Sequence, residues 1–193
     1  MRTNSLHLLC ALFTLSCTGS SGAFERALLR QPQDTANRPV TFDPLLGSWT
    51  IDVTYFPGTD SSFTHPGEWH FASVLEGRAV QDVWRVTAPD ENGQPGLRGY
   101  GTTVRTWDPE IQAWRSTWIG VLNATVTTFI GRAVGSEIRL EPERMEPGEM
   151  YRWVFFEIAT DSFRWRAESS SDSGATWRVE QAMRARRSRA TTQ

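Results

Sequence analysis

Residues 68–84 read EWHFASVLEGRAVQDVW, two alternating runs on either side of a central EG pair. A two-residue turn of this kind, with glycine at a positive φ angle, typically joins neighbouring antiparallel strands. Because side chains alternate between the two faces of a strand, this register places Trp69 opposite Trp84. Two positions further on, the same face pairs Phe71 with Asp82. The stretch therefore predicts a β-hairpin with one aromatic face that carries a carboxylate.

The other face of this hairpin is polar. It carries His70 opposite Val83, and it sets Glu68 opposite Arg85 as a cross-strand ion pair. Such a pair is typical of a surface in water, so we expect the aromatic face to point inward.

A second hairpin repeats the arrangement of one charge among tryptophans. An Asp-Pro turn at 108–109 places Arg105 on one face with Thr103, Trp107, Trp114, Ser116 and Trp118. If the aromatic faces point inward, Asp82 and Arg105 both enter the interior, where each buried charge needs a partner. We expect them to pair with each other, and both a structural role and a ligand-contact role stay open for the pair.

The same alternation recurs from Phe42 onward, with short apolar runs and turn clusters at intervals of about ten residues. Strands are predicted near 47–56, 67–75, 79–87, 98–107, 113–121, 125–133, 136–141, 150–158, 162–169 and 176–185. About ten neighbours in chain order favour an all-β, antiparallel up-and-down β-barrel, whose closure removes exposed edges. A barrel of this size can hold one small ligand. A sandwich of the same strands is the structural alternative.

The last predicted hairpin follows the same parity. One face carries Phe163, Trp165, Trp177 and Val179, and the outer, solvated face carries Arg164, Arg166, Glu168, Arg178 and Glu180. The connection at 170–177 reads SSDSGATW and resembles the Asp-box of sialidases and other β-propeller proteins. Because a lone copy on a chain too short for a propeller is a hairpin device, it predicts a turn capped by an Asp side chain and not a glycosidase.

The N-terminus has the features of an export signal. Arg2 precedes an apolar run at 6–15 that is too short to span a bilayer as a helix. Two processing routes stay open: cleavage after Ala23, or lipid attachment at Cys17, where the preceding residues resemble part of a bacterial lipoprotein box. We therefore predict an exported protein, periplasmic or extracellular, whose contact with a membrane would be limited to a lipid anchor on Cys17.

The chain divides into four segments. They are a signal peptide at 1–23, a short helix with a polar linker at 24–41, the barrel at 42–187 and a tail at 188–193. The helix itself is predicted over 24–30.

Composition limits the chemistry of the mature chain. Both cysteines lie in the leader, so the mature chain forms no disulfide and no thiolate metal site. His65 and His70 fall on opposite faces of a strand, which predicts no metal site. The formal net charge of −2, with the two signs interspersed, argues against a nucleic-acid partner. All basic residues are arginine, which excludes lysine Schiff-base chemistry.

The stretch LLGSW at 45–49 resembles the start of a calycin barrel, in which a Gly-x-Trp on the first strand plugs one end. Taken with EWHFASVLEGRAVQDVW at 68–84, WDP at 107–109 and SFRWR at 162–166, it makes the chain similar to a set of uncharacterised bacterial calycin-like (lipocalin-like) domains. The resemblance covers residues 45–187. It implies the barrel and carries no established activity.

This family is distantly similar to the nitrobindins, which hold ferric haem through a histidine late in the chain. The present sequence departs from that pattern, because His65 and His70 both lie near the second strand and the last strands carry no histidine. We therefore predict no haem and no other cofactor.

Three functions stay open. The leading one is binding of a small, partly apolar molecule in the barrel cavity, with Arg105 as the anchor for an anionic group. The second is an isomerase or cyclase in which Asp82 or His70 acts as acid or base. The third is a solid barrel that serves as an interaction module in the envelope. The candidate ligand contacts are Asp82, Arg105, His70, Glu68, Trp84, Trp118 and Trp165. Neither a catalytic residue nor an oligomeric state follows from the sequence.

Overall fold

Antiparallel strands follow one another around a closed barrel in the order in which they occur along the chain. The computed structural model describes residues 19–30, 38–145 and 147–188. Within them the strands are β1 Gly47–Tyr55, β2 Phe63–Val74, β3 Ala79–Pro89, β4 Pro95–Asp108, β5 Ala113–Gly120, β6 Thr125–Val134, β7 Glu137–Pro142, β8 Met150–Phe156, β9 Ser162–Ser170 and β10 Arg178–Arg187. Because β1 pairs with both β2 and β10, the predicted up-and-down barrel is confirmed, and the sandwich is excluded.

A short N-terminal helix precedes the barrel, as predicted, but its bounds differ from 24–30. Helix α1 spans Gly19–Leu28, and the carbonyl of Leu28 accepts the N–H of Leu75 at 2.9 Å. This bond joins the end of α1 to the turn between β2 and β3. Residues 1–18, with Cys17 among them, lie outside the described part of the chain, so the export signal and its processing stay predictions. None of the helices described has the length and hydropathy that a bilayer span requires.

The hairpin of β2 and β3 has the predicted register. Trp69 lies opposite Trp84, and Phe71 lies opposite Asp82. At the turn, Leu75, Glu76 and Gly77 all have positive φ angles, of 53°, 57° and 77°. The positive φ angles of Glu76 and Gly77 match the right-handed twist of the strands, as the prediction of a glycine turn requires, and Leu75 extends the left-handed segment by one residue.

One end of the barrel is closed by the segment that leads into β1. A 3₁₀ turn at Asp43–Leu45 buries Leu45, and the indole N–H of Trp49 donates to the carbonyl of Leu45 at 2.7 Å. Arg187 covers this end, with its guanidinium carbon 4.1 Å from the centre of the Trp49 ring. The plug expected from Gly-x-Trp is therefore present, and the core of the barrel starts directly above it.

The last hairpin corrects one part of the predicted parity. Val179 lies opposite Glu168, but Gln181 lies opposite Ala167, so Glu180 is an extra residue in β10. Such a bulge reverses the alternation of side chains along the strand. Val179 therefore shares the outer face with Glu168, whereas Gln181 points inward.

A second correction concerns Trp177 and Glu168, both on the outside of the barrel. Trp177 packs against Arg152 of β8, whose guanidinium carbon lies 3.6 Å from its ring centre, and so it does not join Trp165 inside. Glu168 lies on the predicted outer face, yet it is only 6% exposed. Arg152 and Arg166 donate to its two oxygens at 2.6 and 2.7 Å, and these ion pairs compensate its burial.

The Asp-box stretch forms the predicted capped turn. Asp172 accepts the backbone N–H of Thr176 at 2.8 Å and the Thr176 hydroxyl at 2.7 Å. The hydroxyl of Ser170 donates to the same carboxylate at 2.7 Å, and Gly174 takes a φ angle of 88°. These contacts account for the turn without any catalytic role.

Asp172→Asn should lower the thermal midpoint near neutral pH, and this effect should become small as pH falls below about 2. Hydrogen bonds from the Thr176 backbone, the Thr176 hydroxyl and Ser170 lower the pKa of Asp172 to about 2. A lowered folded-state pKa stabilises the fold while the carboxylate is ionised, so the contribution is complete above about pH 4 and disappears as pH falls through about 2. Melting curves of both proteins across this range measure it. A gap between the two midpoints that does not change with pH would contradict the prediction.

Candidate functional site

A small cavity lies among the tryptophans of the barrel interior. Its volume is about 50 Å³, and its walls are formed by Trp69, Trp84, Thr103, Trp118, Trp153, Trp165, Gln181 and Met183. The five indoles are called the tryptophan cluster below. Three of the predicted ligand contacts, Trp84, Trp118 and Trp165, thus come together around one space.

The members of the tryptophan cluster pack edge to face around the cavity. The ring pairs are Trp84–Trp118 (5.9 Å, 69°), Trp118–Trp153 (5.7 Å, 82°), Trp153–Trp165 (5.5 Å, 62°) and Trp69–Trp165 (6.2 Å, 82°). Trp69 and Trp84 also lie opposite each other in the register of β2 and β3. Since aromatic pairs prefer this tilted geometry, the edge of one indole covers part of the face of the next.

Two glycines of β4 make room for the cluster. A Cβ atom on Gly99 would overlap the ring of Trp84, and a Cβ atom on Gly101 would overlap the ring of Trp118. Both indoles therefore lie directly against the backbone of β4. A Gly-x-Gly spacing inside a predicted strand is the sequence signal of such a close approach.

The cavity has a deep side and a side that faces solvent. Trp69 and Trp165 are 5% and 3% exposed, whereas Trp118 and Trp153 are half-buried. A molecule that enters from the solvent would therefore pass the edges of Trp118 and Trp153 first.

The cluster contains indole N–H groups that lack acceptors. The Nε1 atoms of Trp69, Trp84 and Trp165 are buried and have no hydrogen-bond partner. Trp153 differs, because its Nε1 donates to the hydroxyl of Tyr151 at 2.8 Å. Burial raises the pKa of Tyr151, so its hydroxyl keeps its proton near neutral pH. An indole nitrogen can only donate, so the three free groups need acceptors that the walls do not provide.

Asp82 and Arg105 form the predicted pair inside the barrel. Nη2 of Arg105 lies 2.6 Å from Oδ2 of Asp82, although the two groups are not aligned as a hydrogen bond, and both side chains are fully buried. The N–H of Thr103 donates to the other oxygen of Asp82 at 3.3 Å. The rings of Phe42 and Phe71 lie 4.9 and 5.6 Å from the guanidinium carbon. Since the pair is enclosed by these groups, it lies behind the cavity wall and not in it.

Glu68 and His70 lie outside the barrel. Their side chains are 57% and 47% exposed, and Oε2 of Glu68 lies 3.3 Å from Nε2 of His70. The other ring nitrogen of His70 lies 2.9 Å from the hydroxyl of Ser48. The structure does not bring either side chain to the cavity.

Several wall residues were absent from the predicted site. Thr103 and Trp69 lie on the inward faces that the sequence predicts for the first two hairpins, so the alternation of side chains could have identified both as wall residues. Trp153 belongs to β8, which is not joined to β7 or β9 by a two-residue turn, so the sequence does not predict which face of β8 carries Trp153. Gln181 points inward only because of the bulge at Glu180.

The described residues bring no three His, Cys, Asp or Glu side chains together in a group suited to a metal ion. The cavity walls likewise hold no carboxylate and no imidazole. The chemistry available at this site is therefore burial against aromatic surface, with donation from indole N–H groups.

Solved structures share this architecture. Rv2717c from M. tuberculosis superposes with a TM-score of 0.53 at 16% identity, over 81% of this chain and 100% of that chain. The S-type phycobiliprotein lyase CPES from Guillardia theta superposes with a TM-score of 0.50 at 10% identity, over 78% of this chain and 92% of that chain. Both are lipocalin-like or calycin-like barrels, so the resemblance to that fold is confirmed. Neither a protein-family model nor a curated protein sequence matches the chain. The likeness to nitrobindins and the bacterial family stay predictions.

Proposed function

We propose that this chain is an exported protein, periplasmic or extracellular, that binds a small, partly apolar molecule in the cavity of the tryptophan cluster. The observation that supports the proposal is the convergence of five indoles on one space that is not filled. Aromatic walls stabilise an apolar guest by removing its surface from water, and a few polar groups orient it.

The size of the cavity limits how the guest binds. Pockets that enclose a drug-sized ligand measure about 300–1,000 Å³, whereas this one measures about 50 Å³. The guest is therefore very small, or it inserts one group and rests its remainder against Trp118 and Trp153. The predicted anchor changes accordingly, because Arg105 is already paired with Asp82 behind the wall.

The acid–base alternative finds less support in the geometry. Asp82 is paired with Arg105 and does not border the cavity, and His70 lies on the outer surface. A general acid or base must come within hydrogen-bond reach of the reacting atom. We therefore do not propose the isomerase or cyclase.

The solid-barrel alternative is favoured by the same small volume. If the cluster simply fills the interior, the space of about 50 Å³ is a packing defect, and the protein acts through its outer surface. Binding measurements separate this alternative from the proposal.

Filling the cavity should weaken ligand binding. Thr103 is 1% exposed and borders the cavity, so Thr103→Leu adds side-chain volume there. We expect it to weaken the binding of benzoate or toluene, followed by tryptophan fluorescence, at least about tenfold. The matched control is Val104→Leu, one residue along β4 on the outer face, which should leave binding unchanged. Wild-type protein that binds neither probe at millimolar concentration would overturn the proposal in favour of the solid barrel.

A further inference from the structure

We propose that the cavity selects a ligand whose inserted group is a hydrogen-bond acceptor, a carboxylate or carbonyl oxygen, received by the indole N–H groups of Trp69, Trp84 and Trp165. This inference rests on the proposed function and adds the chemical class of the ligand to it. The site combines unpartnered indole N–H groups with the apolar surface of the rings that carry them.

The donors are present and unused. The side chains of Trp69, Trp84 and Trp165 are at least nine-tenths buried, with residue exposures of 5%, 9% and 3%. None of their nitrogens has an acceptor. A buried donor without a partner loses its bond to water and gains nothing in return, so an acceptor that reaches it restores the missing hydrogen bond.

The walls themselves do not satisfy these donors. Thr103 and Gln181 carry the acceptor oxygens among the remaining wall residues, and neither oxygen accepts from the three indoles. Oδ2 of Asp82 also lacks a hydrogen-bond partner, but it lies 2.6 Å from Nη2 of Arg105, and Asp82 does not border the cavity. An acceptor that reaches the indoles through the cavity would therefore belong to a ligand.

An aromatic cage can also attract a cation over its ring faces, and this is the competing chemistry. Here the faces are partly covered, because Trp84 and Trp118 meet at 69° and Trp118 and Trp153 meet at 82°. A ring face that already contacts a neighbouring edge is less available to a cation, whereas the N–H edges stay unpaired. The arrangement thus favours an acceptor over a cation.

The volume indicates which part of the ligand enters. A space of about 50 Å³ admits one or two water-sized groups. This suits a carboxylate or carbonyl head, while the apolar body of the ligand remains at the edges of Trp118 and Trp153. The three nitrogens are not exposed to solvent, so the head reaches them by displacing a neighbouring ring as it enters.

Three small probe molecules test whether the cavity prefers a hydrogen-bond acceptor to an apolar group or a cation. Benzoate carries the acceptor head, toluene has the same ring without it, and tetramethylammonium is the cation that a cage would bind. We expect wild-type protein to bind benzoate at least about tenfold more tightly than toluene, and not to bind tetramethylammonium. In nitrogen-labelled protein, benzoate should move indole N–H resonances of the cluster downfield.

Single substitutions locate the donors. Trp84→Phe keeps an aromatic ring and removes the N–H, so it should reduce the ratio of benzoate affinity to toluene affinity from at least about tenfold toward one. The matched control is Trp114→Phe, since Trp114 is also buried with an unpartnered Nε1 but does not border the cavity. It should leave both affinities unchanged, and cooperative unfolding confirms that each variant is folded.

The outcomes separate the inference from the proposed function. Equal binding of benzoate and toluene would overturn the acceptor inference and leave the apolar binding site intact. Tight binding of tetramethylammonium would replace it with a cation site. Indole N–H resonances that do not move at saturating benzoate would also overturn the acceptor inference. In that case neighbouring ring faces would already act as the acceptors of these N–H groups. Failure of all three probes to bind would overturn the inference and the proposed function together.

Discussion

Replacing Arg105 with methionine should lower the free energy of unfolding by about 3–5 kcal/mol. Arg105 is fully buried, and its Nη2 lies 2.6 Å from Oδ2 of Asp82. Without the guanidinium, the carboxylate of Asp82 retains the N–H of Thr103 at 3.3 Å but has no compensating charge in the interior. Urea unfolding at constant pH measures the loss.

Two controls identify the cause. The double variant Arg105→Met with Asp82→Leu removes both charges, so we expect it to recover most of the stability that the single variant loses. Arg186→Met breaks an ion pair with Asp52 in which both side chains are largely exposed, and it should cost about 0–1 kcal/mol. If the two single variants lost equal stability, the buried pair would have no special role.

Trp49→Ala should also cost about 3–5 kcal/mol, because it empties the plugged end of the barrel. Trp49 is completely buried, and its ring centre lies 4.8 Å from that of Phe163. Its Nε1 donates to the carbonyl of Leu45, and Arg187 covers its face. The substitution removes these contacts together, and calorimetry or urea unfolding detects the loss.

The matched control is another tryptophan. Trp177 is half-buried on the outside of the barrel against Arg152, so Trp177→Ala should cost clearly less than Trp49→Ala. Trp49→Phe keeps the ring but leaves the Leu45 carbonyl without its donor, and it should fall between the two. If Trp49→Ala and Trp177→Ala were equally destabilising, the plug would not be a main source of stability.

The stretch at 68–84 shows which structural features can be predicted from local sequence. Its glycine turn sets the register, and strict alternation then assigns each side chain to a face. The positions of Trp69, Trp84 and Asp82 follow from those two rules, and all three are confirmed inside the barrel. The same reasoning placed Arg105 inside, and the opposite charge explains why it meets Asp82 there.

Local rules fail where one extra residue enters a strand. Glu180 is that residue. The alternation of apolar and polar side chains along β10 does not predict the bulge, because the bulge depends on how β10 pairs with β9. Val179 consequently faces outward and Gln181 borders the cavity.

The residues predicted for the candidate site likewise fall into two groups. Sequence parity selected Trp84, Trp118 and Trp165, which do border the cavity, together with Glu68 and His70, which do not. Whether any of these side chains contacts a ligand stays a prediction. The volume of the cavity could not be anticipated, because it is the space left by indoles from strands that are far apart in the chain.

By itself, the sequence determined the antiparallel strands in chain order, the register of the first two hairpins and the inward placement of Asp82 and Arg105. Each of these follows from a two-residue period, a glycine turn or the cost of an unpaired charge. Closure of the sheet into a barrel, in contrast, was decided by the pairing of β1 with β10. The tertiary structure decided that Trp153 completes the tryptophan cluster and that Gly99 and Gly101 make room for it. It also decided that Asp82 and Arg105 do not border the cavity. Three of the tryptophans that do border it have indole N–H groups without a hydrogen-bond partner. The reason is physical: contacts across a closed barrel depend on side-chain volumes from many strands at once.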